Sequence, residues 1–337
     1  MRILITTQMV DRDDPILGFF HGWIIEFAKH FEHVHVICLK EGVHTLPKNV
    51  SVYSLGKEHG VSYRKYLSRF IRYVWQLRGD HDIVFSHMNP HYIVLAGWFW
   101  SVCKKPMFFW RNHAQMNIKT KIAAYFARRV FYTSSYACTR IFTHAVQMPV
   151  GIDMSLFKED HARQRSDRSV LFLGRISPVK RIEIFIDAGS RLSGFDMHVY
   201  GGASKGQEQY RQEIETRSRG VVTFHEGIPN YETPAVYSQF DMYVNLTPEG
   251  SMDKTVLEAA ACGVLVIVAN KSFAHILPDM CLLKENTPES LADHIQKFGQ
   301  MSPAEKETYR IEVRQNIERG HSLTKLATEL MVYFQYE

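Results

Sequence analysis

Apolar residues along the chain fall in two alternating patterns, short runs and stripes at helical spacing. RILITT (2–7) is a β-branched run that predicts a first strand. GWIIEFAKHF (22–31) has helical spacing, and VHVICL (34–39) reads as a second strand. In YRKYLSRFIRYVWQLRG (63–79), Tyr66, Phe70, Val74 and Leu77 share one stripe, and Lys65, Arg69, Arg72 and Gln76 share another. That division predicts an amphipathic helix. DIVFSH (82–87) and PMFFW (106–110) read as strands, with HYIVLAGWFWSVC (91–103) as a helix between them. At about 1.5 Å per residue this last apolar run is too short to cross a bilayer, so it predicts a buried helix.

The pattern restarts after Gly151. SVLFLG (169–174), DMHVYGG (196–202), VVTFHEG (221–227), DMYVNL (241–246) and VLVIVAN (264–270) are strand-like. The segments between them are helix-like, for example KRIEIFIDAGSRL (180–192) and KTVLEAAACG (254–263). The polar stretch DHARQRSDRS (160–169) reads as the connecting loop. Strands alternating with helices argue for a parallel α/β sheet, here twice over. The 337 residues suit two domains of roughly 150 residues each. The expected division is 1–152 and 153–321. Sites in such sheets lie beyond the carboxyl ends of the strands.

Charge changes this picture by separating the halves. Residues 1–150 hold 19 Lys+Arg against 9 Asp+Glu, and residues 151–337 hold 21 against 26. Residues 101–150 contain eight basic side chains and no acidic one. The first half is therefore expected to be drawn to anions. The five cysteines, at 38, 103, 138, 262 and 281, form no C-x-x-C pair, and most sit in apolar runs. Reduced, buried thiols in a cytoplasmic protein are expected. The apolar run Ile3-Leu4-Ile5 soon meets Asp11-Arg12-Asp13-Asp14, so no signal peptide is predicted.

Two stretches carry candidate chemistry. In VLFLGRISPVKR (170–181) a strand ends at Gly174, Arg175 follows, and Lys180 comes near the start of the next helix. Two cations and a helix N-terminus suit a diphosphate, although a solvated basic loop reads the same way. In TPEGSMDKTVLEAAACG (247–263) a helix is predicted from about Asp253 to Cys262. Asp253 is placed as its N-cap, and Thr255 with Glu258 has capping-box spacing. Glu258 lies four residues after Lys254, so the two can pair.

Taken in order, MPVGID (148–153) with Phe157, LGRISPVKRIEIFIDA (173–188) and EGSMDKTVLEAAACGVLVI (249–267) resemble the retaining family 4 glycosyltransferases. The resemblance implies the α/β GT-B fold, two Rossmann-like domains facing across a cleft. It implies that Arg175 and Lys180, after Gly174, hold the donor diphosphate and act in catalysis, and that Glu258 holds the nucleotide ribose. The family's first glutamate, eight positions before Glu258, falls on Gly250, while Glu249 stands one residue earlier. Either the loop shifts so that Glu249 reaches the sugar, or the role passes to the backbone of Ser251, Met252 and Asp253 and to the Asp253–Lys254 pair. The second arrangement is favoured. Gly18 in ILGFFHGW matches the family's glycine-rich loop, with Phe19 in place of the usual second glycine. His113 in RNHAQ resembles the family's active-site histidine on the acceptor side. His87, at a strand end, is a further candidate for the site. The segment HSLTKLATELMVYFQYE (321–337) resembles the helix that crosses back onto the first domain, expected at about 322–337.

The expected function is retaining, metal-independent transfer of a hexose from a nucleotide sugar, UDP- or GDP-linked, to a glycan or lipid-linked acceptor. Cell-surface polysaccharide or glycolipid synthesis is the expected setting. No cofactor is expected, and a metal role for Asp11-Arg12-Asp13 is disfavoured against a solvated loop. The basic first half also predicts peripheral docking on an anionic inner membrane face. The missing in-register glutamate and Phe19 support an alternative, a catalytically altered binding subunit. A nucleic-acid role is disfavoured, because the aromatics of the basic half recur at helical spacing and read as core.

Overall fold

The computed structural model describes residues 1–160, 162, 165–203, 206–249 and 252–336. The chain divides into two compact units, Met1–Gly151 with Leu323–Glu337, and Ile152–Ser322.

The first unit contains β1 (Arg2–Val10), α1 (Phe19–Ala28), β2 (His33–Glu41), β3 (Val50–Ser54), α2 (Tyr63–Gln76), β4 (Ile83–His87), α3 (His91–Val102), β5 (Met107–Trp110), α4 (Ile118–Phe126), β6 (Arg129–Tyr132) and β7 (Ala145–Gln147). Its sheet runs β3-β2-β1-β4-β5-β6-β7, with every pair parallel. The second unit contains β8 (Ser166–Leu173), α5 (Ile182–Gly189), β9 (Asp196–Tyr200), α6 (Glu208–Ser218), β10 (Val222–His225), α7 (Thr233–Tyr237), β11 (Phe240–Asn245), α8 (Lys254–Ala261), β12 (Leu265–Val268), α9 (Pro288–Gly299) and α10 (Pro303–His321). Its parallel sheet runs β10-β9-β8-β11-β12. In both sheets the order reverses beside the first strand, at β1/β4 and at β8/β11. Connections leave in opposite directions at such a switch point and open a crevice there.

Helices cover both faces of the first sheet, which is why its central strands are apolar on both sides. On one face Phe70 and Val74 of α2, Ile93 and Trp100 of α3, and Ala123 and Ala124 of α4 pack over Leu4, Val84 and Phe109. On the other face α1 shares the cover with α11 (Leu323–Tyr336), the last helix of the chain. Leu326 and Leu330 of α11 are fully buried. Phe334 lies 4.8 Å from Phe108 and 5.8 Å from Phe85, centroid to centroid.

Three details differ from the sequence reading. The helix expected from Gly22 begins at Phe19. Arg69, expected on the polar stripe of α2, turns back to donate to the Leu55 carbonyl at 3.0 Å. Strands β3, β6 and β7 join the four expected in the first unit.

Phe334→Ala should remove about 3–5 kcal/mol from the first unit, as deletion of a buried aromatic does. Urea unfolding followed by the tryptophans, all five of which lie in this unit, measures the loss. An unchanged midpoint would show that α11 is not part of the fold's core.

Candidate functional site

The candidate site is built at the switch point of the second sheet, where β8 and β11 lie side by side. Beyond β8 the backbone packs closely. A Cβ at Gly201 would stand 1.9 Å from the Gly174 carbonyl, so only glycine allows the ends of β8 and β9 to approach this way. Arg175 follows with an exposed side chain that makes no hydrogen bond or ion pair among the described residues. A 3-10 turn, Pro178–Lys180, then leads into α5. From this turn Lys180 reaches across to the end of β11. Its ammonium pairs with Asp253 Oδ2 and donates to Thr247 Oγ1 at 3.1 Å.

Asp253 is the hub. Its Oδ2 also accepts from Asn245 Nδ2 at 3.0 Å and from Thr247 Oγ1 at 2.7 Å. Burial alone would raise the Asp253 carboxyl, but the Lys180 charge and the hydrogen bonds of Lys180, Asn245 and Thr247 outweigh it and hold it below the usual carboxylate range. An ammonium has three donors, and this network engages two of Lys180's, so one N–H remains uncommitted among the described residues. The structure places Asp253 at the N-cap of α8, but its side chain makes no cap bond, and the helix begins at Lys254. The expected capping role is therefore corrected, since the carboxylate is committed to Lys180. Thr255 does not form a capping box either; its Oγ1 lies 2.8 Å from the Tyr243 hydroxyl.

Glu258, one turn into α8, is buried. Asn230 donates to its Oε1 at 3.2 Å, while Oε2 has no hydrogen-bond partner among the described residues. Burial pushes the Glu258 carboxyl up and the Lys254 ammonium down, and the attraction between the two opposes both shifts. A buried carboxylate oxygen without a donor is costly. Glu249 is exposed and unbonded among the described residues, and Met252 is buried. Gly250 and Ser251 lie outside the described residues.

The remaining candidates belong to the first unit. A Cβ at Gly18 would meet the Asp14 carbonyl at 2.5 Å and that of Arg12 at 2.7 Å, so the loop before α1 requires glycine there. Phe19 packs its ring against Trp23 and His87. His87 is buried at the end of β4, stacked on Phe20 at 3.9 Å with Nδ1 3.3 Å from Thr7 Oγ1. His113 is exposed in the loop after β5, and its Nδ1 accepts from the Gln115 amide at 3.0 Å. Asp11 and Asp14 accept from the backbone amides of Asp13, Ile16 and Leu17 and so close turns. No group of three or more His, Cys, Asp or Glu side chains among the described residues is placed to hold a metal ion. No described helix is long and apolar enough to cross a membrane.

Sequence reasoning missed Asn245, Thr247 and Asn230. The first two had a signal, as polar residues closing the apolar strand DMYVNL. Asn230 had none.

A buried acid one helical turn beyond a cation-lined switch point fits a nucleoside diphosphate, and solved structures with the same fold carry one. Anabaena HepE in complex with UDP and glucose superposes with a TM-score of 0.79 at 16% identity, covering 99% of each chain. Sucrose-phosphate synthase from Thermosynechococcus elongatus gives 0.78 at 16% identity, covering 99% of this chain and 98% of that one. A S. aureus TarM mutant in complex with Fondaparinux, alpha-GlcNAc-glycerol and UDP gives 0.78 at 9% identity, covering 99% of each. No curated protein sequence matches. The fold is thus the GT-B fold of glycosyltransferases, as the sequence resemblance implied. Residues 167–300 match the family described as Glycosyl transferases group 1.

Asp253→Ala should destabilise the second unit by about 2–4 kcal/mol, because it strands a half-buried ammonium and two polar side chains. The carboxyl titrates below its unfolded value of about 3.9, so this contribution is complete above that pH and fades as pH falls beneath it. Unfolding of wild type and variant at pH 7 and pH 3 tests both parts. Equal stability at pH 7 would contradict the hub assignment.

Proposed function

We propose that the protein is a retaining glycosyltransferase that takes a sugar from a nucleoside diphosphate, with UDP as the carrier. The observation that carries the reading is the switch-point constellation, in which Lys180 is held by Asp253 and Thr247 and Glu258 is buried with Oε2 unbonded. UDP and UDP-glucose in complexes of HepE support the carrier. In this reading Glu258 accepts hydrogen bonds from the ribose hydroxyls. Arg175 and the uncommitted N–H of Lys180 meet the diphosphate. Charge builds on that leaving group as the glycosidic bond breaks, so fixed cations there lower the barrier. The departing phosphate oxygen takes the acceptor's proton as the acceptor attacks the same face of the sugar, which retains configuration. Either Glu249 or the backbone amides of Ser251 to Asp253 with the Asp253–Lys254 pair position the sugar hydroxyls. His113 of the first unit acts on the acceptor. No metal is required in this scheme.

The acceptor we propose is a glycan or a lipid-linked saccharide, reached from an anionic membrane surface. Helices α2, α3 and α4 contain no acidic residue. Their outward faces expose Ile71, Trp75, Trp98, Val102, Ile122 and Tyr125 beside Arg64, Lys65, Arg72 and Lys121. Arg78 stacks over Trp75 at 4.5 Å. Aromatic rings among cations suit a headgroup layer, and each cation there contributes about 1 kcal/mol.

Incubation with a panel of UDP- and GDP-sugars, with the product's anomeric configuration read by NMR, tests the reaction. An inverted product would refute retention, and UDP binding without transfer from any donor would favour an altered binding subunit. Arg175→Ala and Lys180→Ala should each lower transfer by roughly 10²–10³-fold. Near-normal turnover of both would remove them from the site. His113→Ala should lower transfer while leaving the UDP Kd unchanged.

Sedimentation with anionic vesicles should recover the protein at low salt and release it at high salt, since screening acts within about 10 Å at 0.1 M. Equal recovery with neutral vesicles would sink the membrane reading.

A further inference from the structure

The first unit holds a second cluster of cations. Beyond β4, Met88 has φ 63°, and the Asn89 amide donates to the His87 carbonyl at 2.7 Å, so Met88 is the centre of a γ-turn with positive φ. Such turns are rare and strained. The turn presents the Met88 carbonyl to Arg111, the first residue after β5, whose Nη1 donates to it at 2.8 Å. Arg111 Nε is buried and has no hydrogen-bond partner among the described residues. Three residues after Met88, His91 opens α3. Its Nδ1 lies 2.8 Å from Asn89 Oδ1, and its Nε2 lies 2.7 Å from Lys119 Nζ. An ammonium only donates, so His91 accepts at Nε2 and carries its proton at Nδ1.

This leaves two full cations, one of them half-buried, around a neutral imidazole. Neither Arg111 nor Lys119 forms an ion pair among the described residues. No acidic residue occurs between Asp82 and Asp153. Burial holds the Arg111 guanidinium below its ordinary value. Burial and the charges of Lys119 and Arg111 do the same to His91. Holding the γ-turn occupies only Nη1 of Arg111 and explains neither the unbonded Nε nor the uncompensated charge. A half-buried cation without a counter-ion loses part of its hydration on folding, and an anion brought by a ligand offsets that loss.

The geometry points to an anion site, formed by Arg111, Lys119 and His91, that receives a phosphate group carried by the acceptor. The assignment of that phosphate to the acceptor rests on the transferase reading, whereas the binding itself does not. Arg111 offers a planar donor set that matches phosphate oxygens, and Lys119 adds a point charge. Arg111, Lys119 and His91 belong to the first unit, and Arg175 and Lys180 to the second.

Isothermal titration of the full chain with inorganic phosphate, with and without saturating UDP, tests the proposal. The expected result is one phosphate per chain when UDP is saturating, because UDP then occupies the Arg175 and Lys180 site. Arg111→Gln and Lys119→Gln should each weaken phosphate binding by about tenfold or more while leaving the UDP Kd unchanged. Lys119 is exposed on α4, so its variant remains informative if Arg111→Gln fails to fold. Phosphate binding that vanishes when UDP saturates, or that survives in the Lys119 variant, would overturn the site. The UDP titration run alongside reports the donor reading separately. Vesicles with phosphatidic acid in phosphatidylcholine then identify the source. Retention competed by free phosphate assigns a lipid-borne group, and no retention with the phosphate titration intact assigns a soluble phosphorylated acceptor.

Discussion

Lys180 is drawn toward the interior of the second unit beside a carboxylate, that of Asp253. The contact between Lys180 and Asp253 ties the turn after β8 to the start of α8, the two segments that flank the switch point. Thr247 and Asn245 complete the network from the end of β11. Because Asp253 is spent on this contact, α8 begins without a side-chain cap. Because Lys180 is spent only in part, it retains an uncommitted donor among the described residues. In the proposed function this fixes a cation in advance of the ligand, which is how electrostatic stabilisation avoids reorganisation during reaction.

Glu258 depends on the same framework. It is carried into the interior by α8, where apolar neighbours Val256, Leu257 and Ala259 are fully buried. A carboxylate in that position costs free energy unless it is paired, and Lys254 and Asn230 pair it in part. The remaining oxygen is one of several buried polar atoms without a hydrogen-bond partner among the described residues, and the proposed function gives it the ribose as its partner. Arg111 Nε in the first unit is a second case of the same kind.

The second sheet was legible in the chain because each of its five strands is a distinct apolar run closed by glycine or a polar residue. Three strands of the first sheet were not. β3 (VSVYS) is half-buried along its whole length at the sheet's edge, β6 has four residues entered through Arg128 and Arg129, and β7 has three. Burial on both faces erases alternation, and an edge position weakens it, so periodicity has little to grip. For the site, Arg175, Lys180 and Glu258 could be named from motif order alone. The partner of Lys180 could not, because an Asp one residue before a helix reads first as a cap. The pairing is tertiary, joining positions 73 residues apart. The contacts of His87 were equally out of reach, since its position at a strand end does not reveal that it stacks on Phe20 and meets Thr7 Oγ1.

The central claim is that the switch point of the second unit holds a nucleoside diphosphate on Lys180 and Arg175, with the ribose on Glu258. A crystal structure of the full chain with UDP tests it most directly. The account predicts a diphosphate oxygen within hydrogen-bond distance of Lys180 Nζ while Asp253 keeps its own contact, and a ribose hydroxyl on Glu258 Oε2. UDP bound elsewhere, or bound at the switch point with Glu258 Oε2 still without a donor, would contradict it.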